Sequence, residues 1–178
     1  MLSATRKTLR TPAALADAGL IPTATVPSLE HVARQFAVAV TPEIADLIAQ
    51  DAPDDPIARQ YLPDPAELQI LPSELSDPIG DDTHSPIPGI VHRYPDRVLL
   101  KPVHICPVYC RFCFRREAVG PTGAGTLNES ELRDALAYIE NHPAIWEVII
   151  TGGDPLILSS QRLAAIAARL NEIPHVKT

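Results

Sequence analysis

Proline decides where this chain can build regular structure. Fifteen of its 19 prolines lie at or before Pro107, and a residue with no N–H and a fixed φ ends a helix interior or a central strand. The front of the chain is thereby limited to short pieces. Several prolines stand where a helix can begin: Thr41-Pro42, Asp55-Pro56 and Asp64-Pro65-Ala66-Glu67 each put a capping residue ahead of Pro at the first helical position. Leu29, Val32, Ala33 and Phe36 form an i, i+3, i+4, i+7 stripe behind Ser28, the pattern of an amphipathic helix. Residues 1–75 read as a region of short, Pro-punctuated helices. In residues 76–97 turn-formers are dense enough to predict a connector without regular structure.

From residue 98 to 178 the pattern changes. Val98-Leu99-Leu100 through Val103 reads as a buried strand. Asn128-Glu129-Ser130-Glu131 resembles a capping box and opens a helix with Leu132, Ala135, Leu136 and Ile139 on one face, stopped by Pro143. Trp146 to Thr151 reads as a second strand, Gly152-Gly153-Asp154-Pro155 as a turn, and Ser159 or Ser160 as the cap of a second helix carrying Leu163, Ile166, Ala167 and Leu170. His175 to Thr178 reads as the beginning of a third strand. Strand, helix, strand, helix is the opening of a parallel α/β fold, in which chemistry gathers at the carboxyl ends of the strands. Loops 104–116 and 152–155 lie at such ends, and adjacent parallel strands would bring them together.

The chain has 178 residues, enough for one domain with a real core. No apolar run approaches the roughly 18 to 20 residues that span a bilayer, so a membrane role is not expected. Arg6, Lys7 and Arg10 precede the first acid, Asp17, a faint likeness to a transit peptide; no hydrophobic segment follows in secretory fashion, and we read a cytosolic N-terminal arm in a cytoplasmic protein. Residues 1–89 hold 5 Lys/Arg against 13 Asp/Glu, and residues 90–178 hold 10 against 9. An acidic chain gives no support to nucleic-acid binding. Locally the sign reverses, because Arg93, Arg97, Lys101, Arg111, Arg115 and Arg116 face only Asp96 between positions 93 and 116.

That basic stretch contains all three cysteines, in Cys106-Pro-Val-Tyr-Cys110-Arg-Phe-Cys113. An odd, clustered set cannot form a disulfide framework and points to reduced thiols. Thiolates are soft ligands for iron-sulfur clusters or zinc. Zinc would need a fourth ligand, for which His104 is nearest, yet zinc sites usually draw ligands as two separated pairs and no second pair is present. Unliganded core cysteines are the third reading. Three thiolates at this spacing suit a [4Fe-4S] cluster with one iron left without a protein ligand, unlike electron carriers that supply four cysteines. Nearby cations favour thiolates, a reduced cluster and carboxylate ligands.

The loop resembles that of the radical S-adenosylmethionine superfamily, with an aromatic, Phe112, before the third cysteine. The resemblance implies that Cys106, Cys110 and Cys113 hold the cluster and that the open iron chelates S-adenosylmethionine, whose reductive cleavage releases a 5'-deoxyadenosyl radical. It further implies that Phe112 and Gly152-Gly153-Asp154 contact S-adenosylmethionine. Asp82-Thr83-His84-Ser85-Pro86-Ile87-Pro88-Gly89, His92-Arg93-Tyr94-Pro95-Asp96-Arg97-Val98-Leu99-Leu100 and Cys110-Arg111-Phe112-Cys113-Phe114-Arg115-Arg116 are similar to the lysine 2,3-aminomutase family, and the last also to the relative that isomerises a lysine for elongation factor P.

What this implies is an α/β fold with an N-terminal helical region followed by the first βα units of a partial TIM-type barrel. The implied reaction is a 1,2-shift of an amino group on lysine, free or protein-bound, through an imine to pyridoxal phosphate. Arg115 matches the arginine that holds the substrate carboxylate, a task suited to a planar bidentate donor, and Arg111 is expected to face S-adenosylmethionine or the cluster; a solvated surface role is the alternative for each. An electron donor of flavodoxin or ferredoxin type is implied, and self-association stays open. Lys101-Pro102-Val103-His104 departs from the family's more apolar run, and Lys7, Lys101 and Lys177 stand in no pyridoxal-binding motif. The chain is therefore expected to be the N-terminal part of a longer enzyme, able to bind a cluster without completing the rearrangement.

Overall fold

The computed structural model describes residues 7–49, 54–116, 118–119 and 125–178. The first six residues, with the Arg6 end of the basic arm, lie outside that set. The chain divides into two compact units, Met1–Ser76 with Pro107–Gly120 and Asp77–Cys106 with Pro121–Thr178.

In the first unit helices α1 (Pro12–Asp17), α2 (Val26–Gln35), α3 (Pro42–Leu47) and α4 (Pro56–Tyr61) follow the proline punctuation. Thr11 caps α1 by accepting the Ala14 N–H at 3.1 Å, and Thr41 caps α3 by accepting from Ile44 at 3.5 Å. Asp55 accepts the Ile57 N–H at 3.0 Å at the start of α4 and the Ala49 N–H at 2.7 Å. In each case Pro occupies a first-turn position whose N–H would have no partner within the helix. Helix α2 begins earlier than its apolar stripe suggests. Pro27 is accommodated in its first turn, Thr25 precedes the helix, and Ser28 donates its hydroxyl to the Thr25 carbonyl at 2.8 Å instead of capping. The Asp64-Glu67 capping box forms, but over a 3-10 turn, Pro65–Leu68, and not an α-helix. Apolar side chains here gather in two small groups, one on Leu15, Val38, Val40 and Ile48, the other on Leu29, Val32 and Phe36.

The second unit carries a three-stranded sheet, β1 (Ile90–Tyr94), β2 (Arg97–Val103) and β3 (Glu147–Gly152), in the order β1-β2-β3. Strand β1 overturns the expectation that residues 76–97 lack regular structure. Pro88 and Gly89 end just before it, Ile90 and Val91 are buried, and Pro95-Asp96 turns the chain back so that β1 pairs antiparallel with β2, with Ile90 opposite Leu100. A strand with only one partner on its inner side tolerates flanking prolines that a central strand could not.

Strands β2 and β3 pair parallel, Val98 opposite Val148 and Leu100 opposite Ile150, joined by α5 (Glu129–Glu140). Both ladders are irregular: the shift against β1 falls between Val91 and Tyr94, opposite the start of β2, and the shift against β3 between Leu100 and Val103, where Pro102 has no N–H to give. The sheet is thus mixed, and it is open; the expected all-parallel start is corrected by β1. Asn128 and Glu131 form the capping box of α5, and Ser159 caps α6 (Ser160–Asn171) by accepting the Arg162 N–H at 3.2 Å. Both helices pack their apolar faces into a single aliphatic core with Ile90, Val98, Leu100, Ile145 and Val148. The segment from His175 forms no regular strand. It meets β3 and the residue before it through backbone hydrogen bonds: the Lys177 and Thr178 N–H groups donate to the Trp146 carbonyl at 2.7 and 3.4 Å, and the Val148 N–H donates to the Thr178 carbonyl at 2.7 Å.

Candidate functional site

Cys106 closes one stretch of the second unit, and Cys110 and Cys113 belong to the first. All three are thiols of intermediate burial. The local chain explains how the last two come close in sequence space and in fold: the Cys113 N–H donates to the Cys110 carbonyl at 3.2 Å and the Arg116 N–H to the Cys113 carbonyl at 3.1 Å, two successive turns across Cys110-Arg-Phe-Cys113-Phe-Arg-Arg116. Among the described residues no three His, Cys, Asp or Glu side chains are already drawn together in metal-binding geometry. The donor set itself fits an iron-sulfur cluster: soft thiols only, on a loop of turns, with three arginines within six residues of Cys110.

Backbone and charge both fasten this loop within its unit. The Tyr109 N–H donates to the Ala39 carbonyl at 3.2 Å and the Arg111 N–H to the Gln60 carbonyl at 2.7 Å. The Arg111 guanidinium is neither solvated nor open to a ligand on all sides. It gives Nε to Glu67 Oε1 at 3.1 Å, Nη2 to Oε2 at 2.6 Å and Nη1 to the Ala37 carbonyl at 2.7 Å, with side-chain exposures of 6% for Arg111 and 11% for Glu67. Arg116 reaches the same carboxylate at 3.8 Å and lies over the Phe36 ring at 4.1 Å. The Arg115 guanidinium lies over the Phe114 ring, 4.6 Å from its centroid. Phe112 is 75% exposed, at the wall of an open groove of about 690 Å³ that Leu62, Asp64, Glu67, Arg111 and Arg116 also line.

Glu67 is the site residue that sequence reading missed. Its capping-box position was visible, since Asp64 is its local partner, but nothing in the spacing announced a second partner 44 positions away. The expectation for Arg111 is redirected accordingly: the side chain is spent largely on Glu67 and Ala37.

In the second unit the glycine turn is defined by close approach. The Gly153 N–H donates to the Val103 carbonyl at 2.7 Å and the Asp154 N–H to the Ile105 carbonyl at 3.0 Å, so the turn after β3 lies directly against the chain leading out of β2. Gly152 has φ of 114°, and a Cβ there would overlap the Val103 carbonyl oxygen; one at Gly153 would overlap the Ile105 backbone. Only glycine fits at either position. The Asp154 carboxylate accepts the Leu156 N–H at 2.9 Å and caps the 3-10 turn Pro155–Ile157. Of the loop 104–116 that the sequence expects beside 152–155, Ile105 meets the turn here, through the Asp154 N–H. His104 is buried.

At the start of β3 the β1–β2 turn is locked by charge. Asp96 accepts from Arg97 Nε and Nη2 at 3.0 and 2.9 Å and from Trp146 Nε1 at 3.2 Å, which holds its carboxyl down at about 2. Among the described residues no helix is long and apolar enough to cross a membrane.

A family model described as a 4Fe-4S single cluster domain matches residues 96–177. The chain is 40% identical over 144 residues to L-lysine 2,3-aminomutase of Clostridium subterminale, covering 81% of this chain and 34% of that protein. It is 40% identical over 138 residues to the enzyme of the same name from Bacillus subtilis, covering 78% and 29%, and 37% identical over 142 residues to that of Escherichia coli, covering 80% and 41%. The chain thus spans about a third of the length of the curated relatives it matches. These similarities support the lysine 2,3-aminomutase family of radical S-adenosylmethionine proteins, N-terminal part, as the family of this chain.

Proposed function

We propose that this chain forms the cluster-binding and S-adenosylmethionine-binding part of an isomerase that shifts an amino group on lysine, free or protein-bound. The observation that carries the reading is the glycine-only turn at the end of β3 seated on Val103 and Ile105, directly ahead of Cys106, the first of the three thiols in the sequence. Cys106, Cys110 and Cys113 would hold a [4Fe-4S] cluster, which when bound would supply an open iron for S-adenosylmethionine and an electron for its reductive cleavage.

The chain's own residues divide the remaining work. With the N–H groups of Gly153 and Asp154 already donated to Val103 and Ile105, what this turn has to offer a ligand ammonium is carbonyl oxygen, the complementary partner. Phe112 offers an exposed ring on which a purine can stack. Arg115, resting on Phe114, keeps a planar fork suited to a substrate carboxylate. Pyridoxal phosphate belongs to the proposed reaction, and none of Lys7, Lys101 or Lys177 is assigned to it. A flavodoxin- or ferredoxin-type reductant and a cytoplasmic setting complete the proposal.

Anaerobic reconstitution of the 178-residue chain tests it. The expected result is about four irons with matching sulfide per chain and a visible spectrum that changes on adding S-adenosylmethionine. Zinc in place of iron, or a cluster whose spectrum ignores S-adenosylmethionine, overturns it.

A further inference from the structure

On the cluster reading above, we infer that Glu67 is a positioning residue for the cluster-binding loop. Its carboxylate joins two pieces of the first unit, the turn at residues 64–68 and the cysteine segment that carries Arg111 and Arg116. Through Oε1 it accepts the Asp64 N–H at 2.9 Å and so closes the turn at Pro65–Leu68. The same oxygen and Oε2 accept the fork of Arg111, the residue immediately after Cys110, and Oε2 lies 3.8 Å from Arg116, three residues past Cys113. The two turns that carry Cys110 and Cys113 are therefore pinned at both flanks by one carboxylate, while Gln60 and Ala39 hold the backbone between and before them. Loss of a residue that orients a metal site from outside its ligands typically costs about 10- to 100-fold in metal affinity.

Charge gives Glu67 a second effect. One carboxylate faces two guanidiniums, and Arg111 and Glu67 are both nearly excluded from water. Removing the negative charge leaves an uncompensated buried cation beside a thiolate ligand, which favours the reduced, more negative cluster. Glu67 thus lowers the reduction potential of the loop it shapes. Geometry and charge separate experimentally, because Glu67→Asp keeps the charge and withdraws the fork's acceptors by one methylene, whereas Glu67→Gln keeps the length and removes the charge.

The test is anaerobic reconstitution of the wild-type chain, E67Q and E67D, followed by cluster loss to an iron chelator and by potentiometric titration followed in the visible spectrum. E67Q is expected to lose its cluster about 10- to 100-fold faster than wild type and to be reduced at a higher potential. E67D is expected to lose it at an intermediate rate with the wild-type potential. An E67Q chain that matches wild type in both rate and potential overturns the inference; if E67Q does not fold, wild-type retention by E67D overturns it. A wild-type chain that takes up no four-iron cluster is a different failure, that of the cluster reading itself.

Discussion

The unit of residues 77–106 and 121–178 folds around one continuous aliphatic cluster, with Ile90, Leu100, Ile139, Ile145 and Ile166 essentially excluded from water. Among its described residues the unit of residues 1–76 and 107–120 has no such centre. Four short helices there share two separate apolar groups, and Arg111 ties the cysteine segment back to Glu67, 44 positions away, and to Ala37, 74 positions away. Burial of apolar surface is non-directional and tolerates small shifts, whereas a bidentate ion pair holds only in one geometry. A region that must present ligands at fixed positions gains from the second kind of contact. The first kind suits a scaffold that has only to stay folded. Cys110 and Cys113 lie in the region held by directional contacts, and the glycine turn lies at the rim of the apolar one.

The comparison can be broken most forcefully at Arg111. Arg111→Ala removes the bidentate donor of Glu67, which keeps only the Asp64 N–H and Arg116 at 3.8 Å, and the donor of the Ala37 carbonyl; breaking one side of a buried pair costs about 3–5 kcal/mol. Hydrogen exchange at the α4 amides and at residues 64–69 is expected to accelerate while the sheet amides stay protected. Equal loss of protection in both units would mean that they do not differ as described. The converse substitution is Leu100→Ala, which opens a cavity in the aliphatic core and costs about 2–5 kcal/mol. Protection across β2 and β3 should fall and that of α4 should not.

The rim of the apolar unit responds to a smaller change. Gly152→Ala forces an alanine into a positive φ, a strain of about 1–3 kcal/mol, and pushes its methyl into the Val103 carbonyl. A lowered Tm together with a lost spectral response to S-adenosylmethionine is expected; a full response would remove the turn from the ligand site. Asn128→Ala removes the double cap that accepts from Ser130 and Glu131 at 2.8 and 2.9 Å, and about 1 kcal/mol of stability should go with it in chemical denaturation.

The mildest test uses pH. Asp96 is held at about 2, below its ordinary 3.8, first by the Arg97 hydrogen bonds and then by the Trp146 indole. A carboxyl depressed in the folded state stabilises above its unfolded value and loses that contribution as pH falls from about 4 to about 2. Asp96→Asn should flatten the fall in stability across that window, with the small loss seen at neutral pH and the two chains converging near pH 2. A wild-type slope in the variant would show that other carboxylates carry it.

Much of this was legible in the chain itself, and the reason is locality. The helix starts at Pro42 and Pro56, the capping box at Asn128, the glycine turn and the three-cysteine spacing are relations between residues a few positions apart, fixed by φ limits, caps and ligand softness. Strand β1 was hidden, because its flanking prolines and glycine speak for a loop until β2 is present to accept its hydrogen bonds. Ser28 was mistaken for a cap because the first turn of α2 could absorb Pro27. Glu67 and Arg111, 44 positions apart, meet only once the helices and the cysteine loop are folded on each other within their unit. The order of amino acids set what each short segment could do alone; which carboxylate met which guanidinium, and which edge a strand could join, were settled by tertiary packing, since burial alone makes an unpaired charge or an open ladder costly enough to choose a distant partner.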